Sequence, residues 1–100
     1  MIHVSPEELV RFVEKLEDKP LTTKAQRKEF TVGVVGDSLE YTPTSSGAPR
    51  KQPGKTLSRV CDEFSRTNSF KPGDYQSITF NASYALAVIV KYVQSRCSPK

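Results

Sequence analysis

Apolar residues recur along the chain at spacings that predict three helices and a hairpin. Leu9, Phe12, Val13 and Leu16 lie three and four apart, which puts them on one stripe of a first helix. Ser5 precedes that stripe as an N-cap, Pro6 suits the first helical position, and Glu8 completes a Ser-x-x-Glu capping box. Val4 is placed to staple onto Leu9. Asp18-Lys19-Pro20 should end the helix, because proline disfavours helical geometry at the residue before it. Residues 21–29 are polar and basic, with Lys24, Arg27 and Lys28 expected to be exposed.

The period then changes from helical to alternating. Phe30, Val32 and Val34 alternate with Thr31, Gly33 and Val35, and Leu39 and Tyr41 alternate with Ser38, Glu40 and Thr42. Gly36-Asp37 between them is a two-residue turn with glycine first, as a type II′ hairpin requires. That register pairs Val34 with Leu39 and Val32 with Tyr41. A ribbon of two strands is marginal alone, so this face must pack on helices.

Residues 43–55 contain three prolines, two glycines and no large apolar side chain, and read as a long, flexible, basic loop. Thr56 is expected to cap a second helix running to about Thr67, with Leu57, Val60, Cys61 and Phe64 on its buried stripe. Lys71-Pro72-Gly73-Asp74 is a turn signal. Ser77–Phe80 alternates briefly and permits a short third strand. A last helix starts at Asn81 or Ser83 and runs to about Ser95, apolar on nearly every face until Lys91.

The chain therefore reads as one α+β domain over residues 1–100, an antiparallel hairpin packed against three helices, with a frayed tail at 96–100. Its expected core is Leu9, Phe12, Val13, Leu16, Val32, Val34, Leu39, Tyr41, Leu57, Val60, Phe64, Leu86, Ile89 and Val90. One hundred residues exclude a multidomain enzyme or a full dinucleotide-binding fold. No apolar run approaches the roughly 20 residues of a membrane span. The two cysteines are too few for a disulfide framework; Cys61 reads as a buried, reduced thiol, and Cys97 falls in the tail. With no secretory leader pattern at the amino terminus, the expected location is cytoplasmic.

Charge divides the chain. Residues 1–40 hold six basic and eight acidic side chains, whereas residues 41–100 hold nine and three. An excess of +6 in the second part points to an anionic partner, with Arg50, Lys51 and Lys55 in the loop and Arg59 and Arg66 one face of the following helix. Lys55 and the helix start at Thr56 would anchor a phosphate, and Phe70 or Tyr75 would stack on a base. The bland alternative is a solvated connector, with Arg66 paired to Asp62 and Arg59 to Glu63. Gly54-Lys55-Thr56 resembles the end of a phosphate-binding P-loop, but the full pattern requires glycine where Pro49 stands.

Other chemistry is thin. His3 is the sole histidine, so neither a zinc site nor a Cys-His nucleophile is expected, and no cofactor is implied. Asp37 and Glu40 straddle a turn, where Asp serves turn geometry. The all-round apolar last helix carries the competing reading, a protein-interaction module or homodimer whose interface would be Tyr84, Val88, Ile89 and Tyr92. Sequence reasoning thus favours a non-enzymatic binding module, with nucleic acid as the first partner class and another protein as the second.

Overall fold

The computed structural model describes residues 3–16, 20–23, 27–45, 47–79 and 81–97. Helix α1 (Pro6–Leu16) is followed by strands β1 (Leu21–Thr22), β2 (Glu29–Val35), β3 (Ser38–Pro43) and β4 (Arg50–Gln52), then by helix α2 (Gly54–Thr67), a 3-10 turn (Pro72–Tyr75) and helix α3 (Ala82–Cys97). The strands form one antiparallel sheet in sequence order, and the fold is α+β.

Ser5 caps α1 as its sequence requires: the Glu8 amide donates to Ser5 Oγ at 3.2 Å, and the Ser5 hydroxyl donates to the Glu8 carboxylate at 3.1 Å. The residues before α1 are tied to α2, since Val4 N–H donates to Ser65 Oγ and the Ser65 hydroxyl donates back to the Val4 carbonyl. The hairpin register is the expected one, with Val32 opposite Tyr41 and Val34 opposite Leu39. Gly36 has φ of +63° while Asp37 does not enter the left-handed region, which matches a type II′ turn.

Residues 43–55 differ from the flexible loop that the sequence suggests. Arg50, Lys51 and Gln52 pair with Tyr41, Glu40 and Leu39 and close the far edge of the sheet. A row of unpaired amides and carbonyls on β3 is satisfied by any extended segment, so backbone pairing places this strand without apolar side chains. Gln52 is fully buried, and the Thr79 hydroxyl donates to its Oε1 at 3.4 Å. The added edge strands are β1 and β4, whereas residues 76–78 form a turn in place of the expected third strand; Phe80 lies outside the described residues. Arg96 and Cys97 belong to α3 and are not part of a frayed tail.

All three helices share one core with the inner sheet face. Phe30, Tyr41 and Tyr84 pack as an aromatic triangle, with Tyr41 and Tyr84 stacked at 5.6 Å and 20° and Phe30 edge-on to both. Leu9, Val13, Leu16, Val32, Leu39, Tyr41, Leu57, Val60, Phe64, Leu86 and Ile89 are buried as expected. Phe12, Val34 and Val90 are only half-buried, because each lies at the margin of its stripe. Strand alternation puts Thr22, Glu29, Thr31, Gly33, Val35, Glu40, Thr42 and Lys51 on the outer face. Among the described residues no helix is long and apolar enough to cross a membrane.

Candidate functional site

The basic residues that are close in sequence are parted by the fold. Arg50 and Lys51 are consecutive in β4, so their side chains leave opposite faces of the sheet. Arg50 lies on the helix side, its guanidinium 5.9 Å from the centroid of the Tyr84 ring. Lys51 is on the outer face, opposite Glu40. Lys55 points into a groove between α1 and α2 that is also lined by Glu7, Arg11, Glu14 and Asp37. Its surroundings are therefore mixed in charge. Asp37 and Glu40 are parted in the same way, one beside α2 and the other on the outer face.

The start of α2 is occupied by the chain itself. Pro53 stands at the N-cap without a side-chain cap, and Thr56 is inside the helix, not its cap. The β2–β3 turn comes down on Gly54: a Cβ there would meet the Asp37 carbonyl oxygen at 2.9 Å and Oδ2 at 3.0 Å. The Asp37 carboxylate thus supplies, from within, the negative charge that a helix amino terminus favours. Farther along α2, Arg59 is exposed, and Arg66 pairs with Glu63 at 2.5 Å, not with Asp62.

The two aromatic candidates part company as well. Tyr75 is fully buried, and its hydroxyl donates to the Ser69 carbonyl at 2.7 Å, so it cannot stack on a ligand. Phe70 is 46% exposed, one of two large exposed apolar side chains among the described residues. Its ring leans on Phe64 at 5.1 Å, and the backbone around it is braced. The Ser69 hydroxyl donates to Asp74 Oδ2 at 2.5 Å, and Lys71 N–H donates to Ser69 Oγ at 3.2 Å.

Helix α3 also turns out differently from its expected interface. Tyr84, Val88, Ile89 and Tyr92 all face inward and are buried within the single chain. The helix is central: the sheet, α1 and the 3-10 turn cover it on several sides, which is why it is apolar nearly all round. Tyr92 meets Phe12 edge-on at 5.5 Å. What remains accessible is a different stripe. Between Phe70, Pro72 and α3 lies a cavity of about 280 Å³ floored by Leu86, Ala87 and Val90. A second depression of about 280 Å³ shares Ala87 and Val90 and continues between α3 and β1. Sequence reasoning found the Lys71–Asp74 turn but missed this groove, because the packing of that turn on α3 is a tertiary contact.

Two buried polar atoms among the described residues, the Tyr41 hydroxyl and Gln52 Nε2, stand without a hydrogen-bond partner. Burial pushes the Tyr41 phenol well above its ordinary range. The Cys61 thiol is pushed up to about 12, by burial first and then by the Asp62 and Glu7 carboxylates, so it stays protonated and inert. Among the described residues no three His, Cys, Asp or Glu side chains converge as a metal site. No known protein family, characterised protein or solved structure matches this chain.

Proposed function

We propose that the chain is a small, non-enzymatic protein-interaction module that docks a segment of another polypeptide in the groove between Phe70 and α3. The observation that carries this reading is Phe70 itself, 46% exposed beside an apolar floor of Leu86, Ala87 and Val90. Leaving about half of a phenylalanine exposed forgoes roughly half of the about 1.5–3 kcal/mol of full burial, and this one adjoins an apolar depression, as residues of partner surfaces do. The braced wall adds to the argument, because a preformed groove spends little binding energy on ordering itself. A buried thiol held as the protonated form suits a reducing compartment, and a cytoplasmic home is part of the proposal.

Nucleic acid is the second reading. It retains the +6 excess of residues 41–100 and the exposed cations Lys55 and Arg59, one helical turn apart. The parting of Arg50, Lys51 and Lys55 and the burial of Tyr75 make it the weaker of the two.

Amide chemical-shift mapping separates these readings. Peptides selected from a displayed random library should shift Phe70, Leu86, Ala87 and Val90 on titration. Shifts confined to Lys55, Thr56 and Arg59, on addition of mixed DNA and RNA oligonucleotides at low salt, would refute the groove in favour of nucleic acid.

A further inference from the structure

We propose that the groove takes a short acidic segment of its partner, with one apolar side chain set between aspartate or glutamate residues. This inference rests on the groove being the docking face. Ser83, Ala87, Val90, Lys91 and Gln94 recur at helical spacing on one face of α3, so the two depressions are one continuous channel. The twelve residues from Ser83 to Gln94 make eleven helical rises, so it is about 16 Å long, the length of about five extended residues.

Charge identifies the occupant. Lys71 lines the channel at one end and Lys91 at the other, and among the described residues no aspartate or glutamate lines it. No described residue pairs with either ammonium group. The carboxylates of Glu7, Glu14 and Asp37 lie instead along the α1–α2 groove. The floor of Leu86, Ala87 and Val90 is aliphatic, and Gln94 at one end is the sole side-chain amide among the described lining residues, too little to read base edges. An apolar anchor for the centre and carboxylates for the two ends is the complementary ligand.

The test starts from a phage-displayed random heptapeptide library, with enriched sequences remade as fluorescein-labelled peptides and followed by anisotropy. Acidic residues flanking an apolar one should be enriched. Lys71→Glu with Lys91→Glu should weaken binding by about tenfold and shift preference to the same peptides with lysine in place of their acids. Added salt should weaken binding to the unmodified chain. Val90→Glu should abolish binding of both peptide sets, and Phe70→Ser gives the same reading if Val90→Glu fails to fold. Peptides lost on Val90→Glu but indifferent to lysine reversal overturn the acidic specificity and leave the docking face standing. Peptides indifferent to Val90→Glu, or no enrichment at all, overturn both. A free chain that sediments as a dimer and is made monomeric by Val90→Glu identifies a second copy as the occupant and also overturns the proposal.

Discussion

Replacing Gly54 by alanine tests whether the β2–β3 turn really bears on the start of α2. The new Cβ would lie 2.9 Å from the Asp37 carbonyl oxygen, 3.0 Å from Oδ2 and 3.2 Å from Cγ, all inside ordinary van der Waals contact. The nearest of these is backbone, held in the hairpin by the pairing of Val35 with Ser38, so the strain cannot be relieved by one rotamer change. Overpacking of this kind costs about 1–3 kcal/mol. Against it, alanine regains at most about 1 kcal/mol over glycine in a helix interior, and less at the first helical residue. The expected net loss is about 1–2 kcal/mol, which for a domain of this size lowers Tm by roughly 4–15 °C. In an Asp37→Ala background the carboxylate contacts vanish while the carbonyl contact stays, so the cost of Gly54→Ala should shrink but persist. Thermal melts of the four chains of this double-mutant cycle provide the measurement. A Gly54→Ala chain that melts at or above the parent temperature would refute the close approach and, with it, the placing of Asp37 at the helix start.

Tyr41→Phe should leave stability unchanged or raise it by about 1 kcal/mol, because it removes an enclosed hydroxyl that has no partner and keeps the ring stacked on Tyr84; chemical denaturation reads the sign. A loss above about 1 kcal/mol would mean that the hydroxyl is satisfied after all. Phe64→Ala should cost about 3–5 kcal/mol and Phe12→Ala distinctly less, since only the first is fully buried. Stability should decline at alkaline pH: the folded Cys61 thiol keeps its proton to about 12 against an ordinary 9.0, so its contribution is complete below pH 9 and is lost as pH rises towards 12. In a Cys97→Ser background a disulfide reagent should leave Cys61 untouched at pH 8 until denaturant is added, and rapid labelling of the native chain would contradict its burial.

Periodicity made α1, the hairpin and α2 legible because each buries one face against a shared core. Ser5 and Gly36 added local chemistry that admits few alternatives. Strand β4 was illegible for the opposite reason: Arg50 and Lys51 are held by pairing to Glu40 and Tyr41, and backbone hydrogen bonds leave no hydropathy signature. The same strand explains the failure of the basic cluster. Adjacent residues of a loop can converge on a phosphate, whereas adjacent residues of a strand point apart. In α3 the apolar excess was visible, but whether it served an interface or the interior depended on how many elements surround the helix. Tyr84, Val88, Ile89 and Tyr92 are consumed by the interior, which left Val90 half-buried at the floor of the groove. Phe70 was picked out for its aromatic ring; its usefulness comes from Ser69, Asp74 and Tyr75, which hold the turn in place.

The two ends of the described chain meet, with Arg96 3.4 Å from Glu8 and Tyr92 against Phe12. The meander of neighbouring strands needs only local closure, whereas the interior is completed by α3, which follows the sheet and the other helices along the chain. A nascent chain halted before α3 emerges from the ribosome would lack the Tyr84 ring that packs on Phe30 and Tyr41, and would be a substrate for chaperones that bind exposed apolar segments. Emergence of α3 then becomes the committing event. Force profiling of arrested chains should show a single late transition, timed to the emergence of Tyr84 through Tyr92.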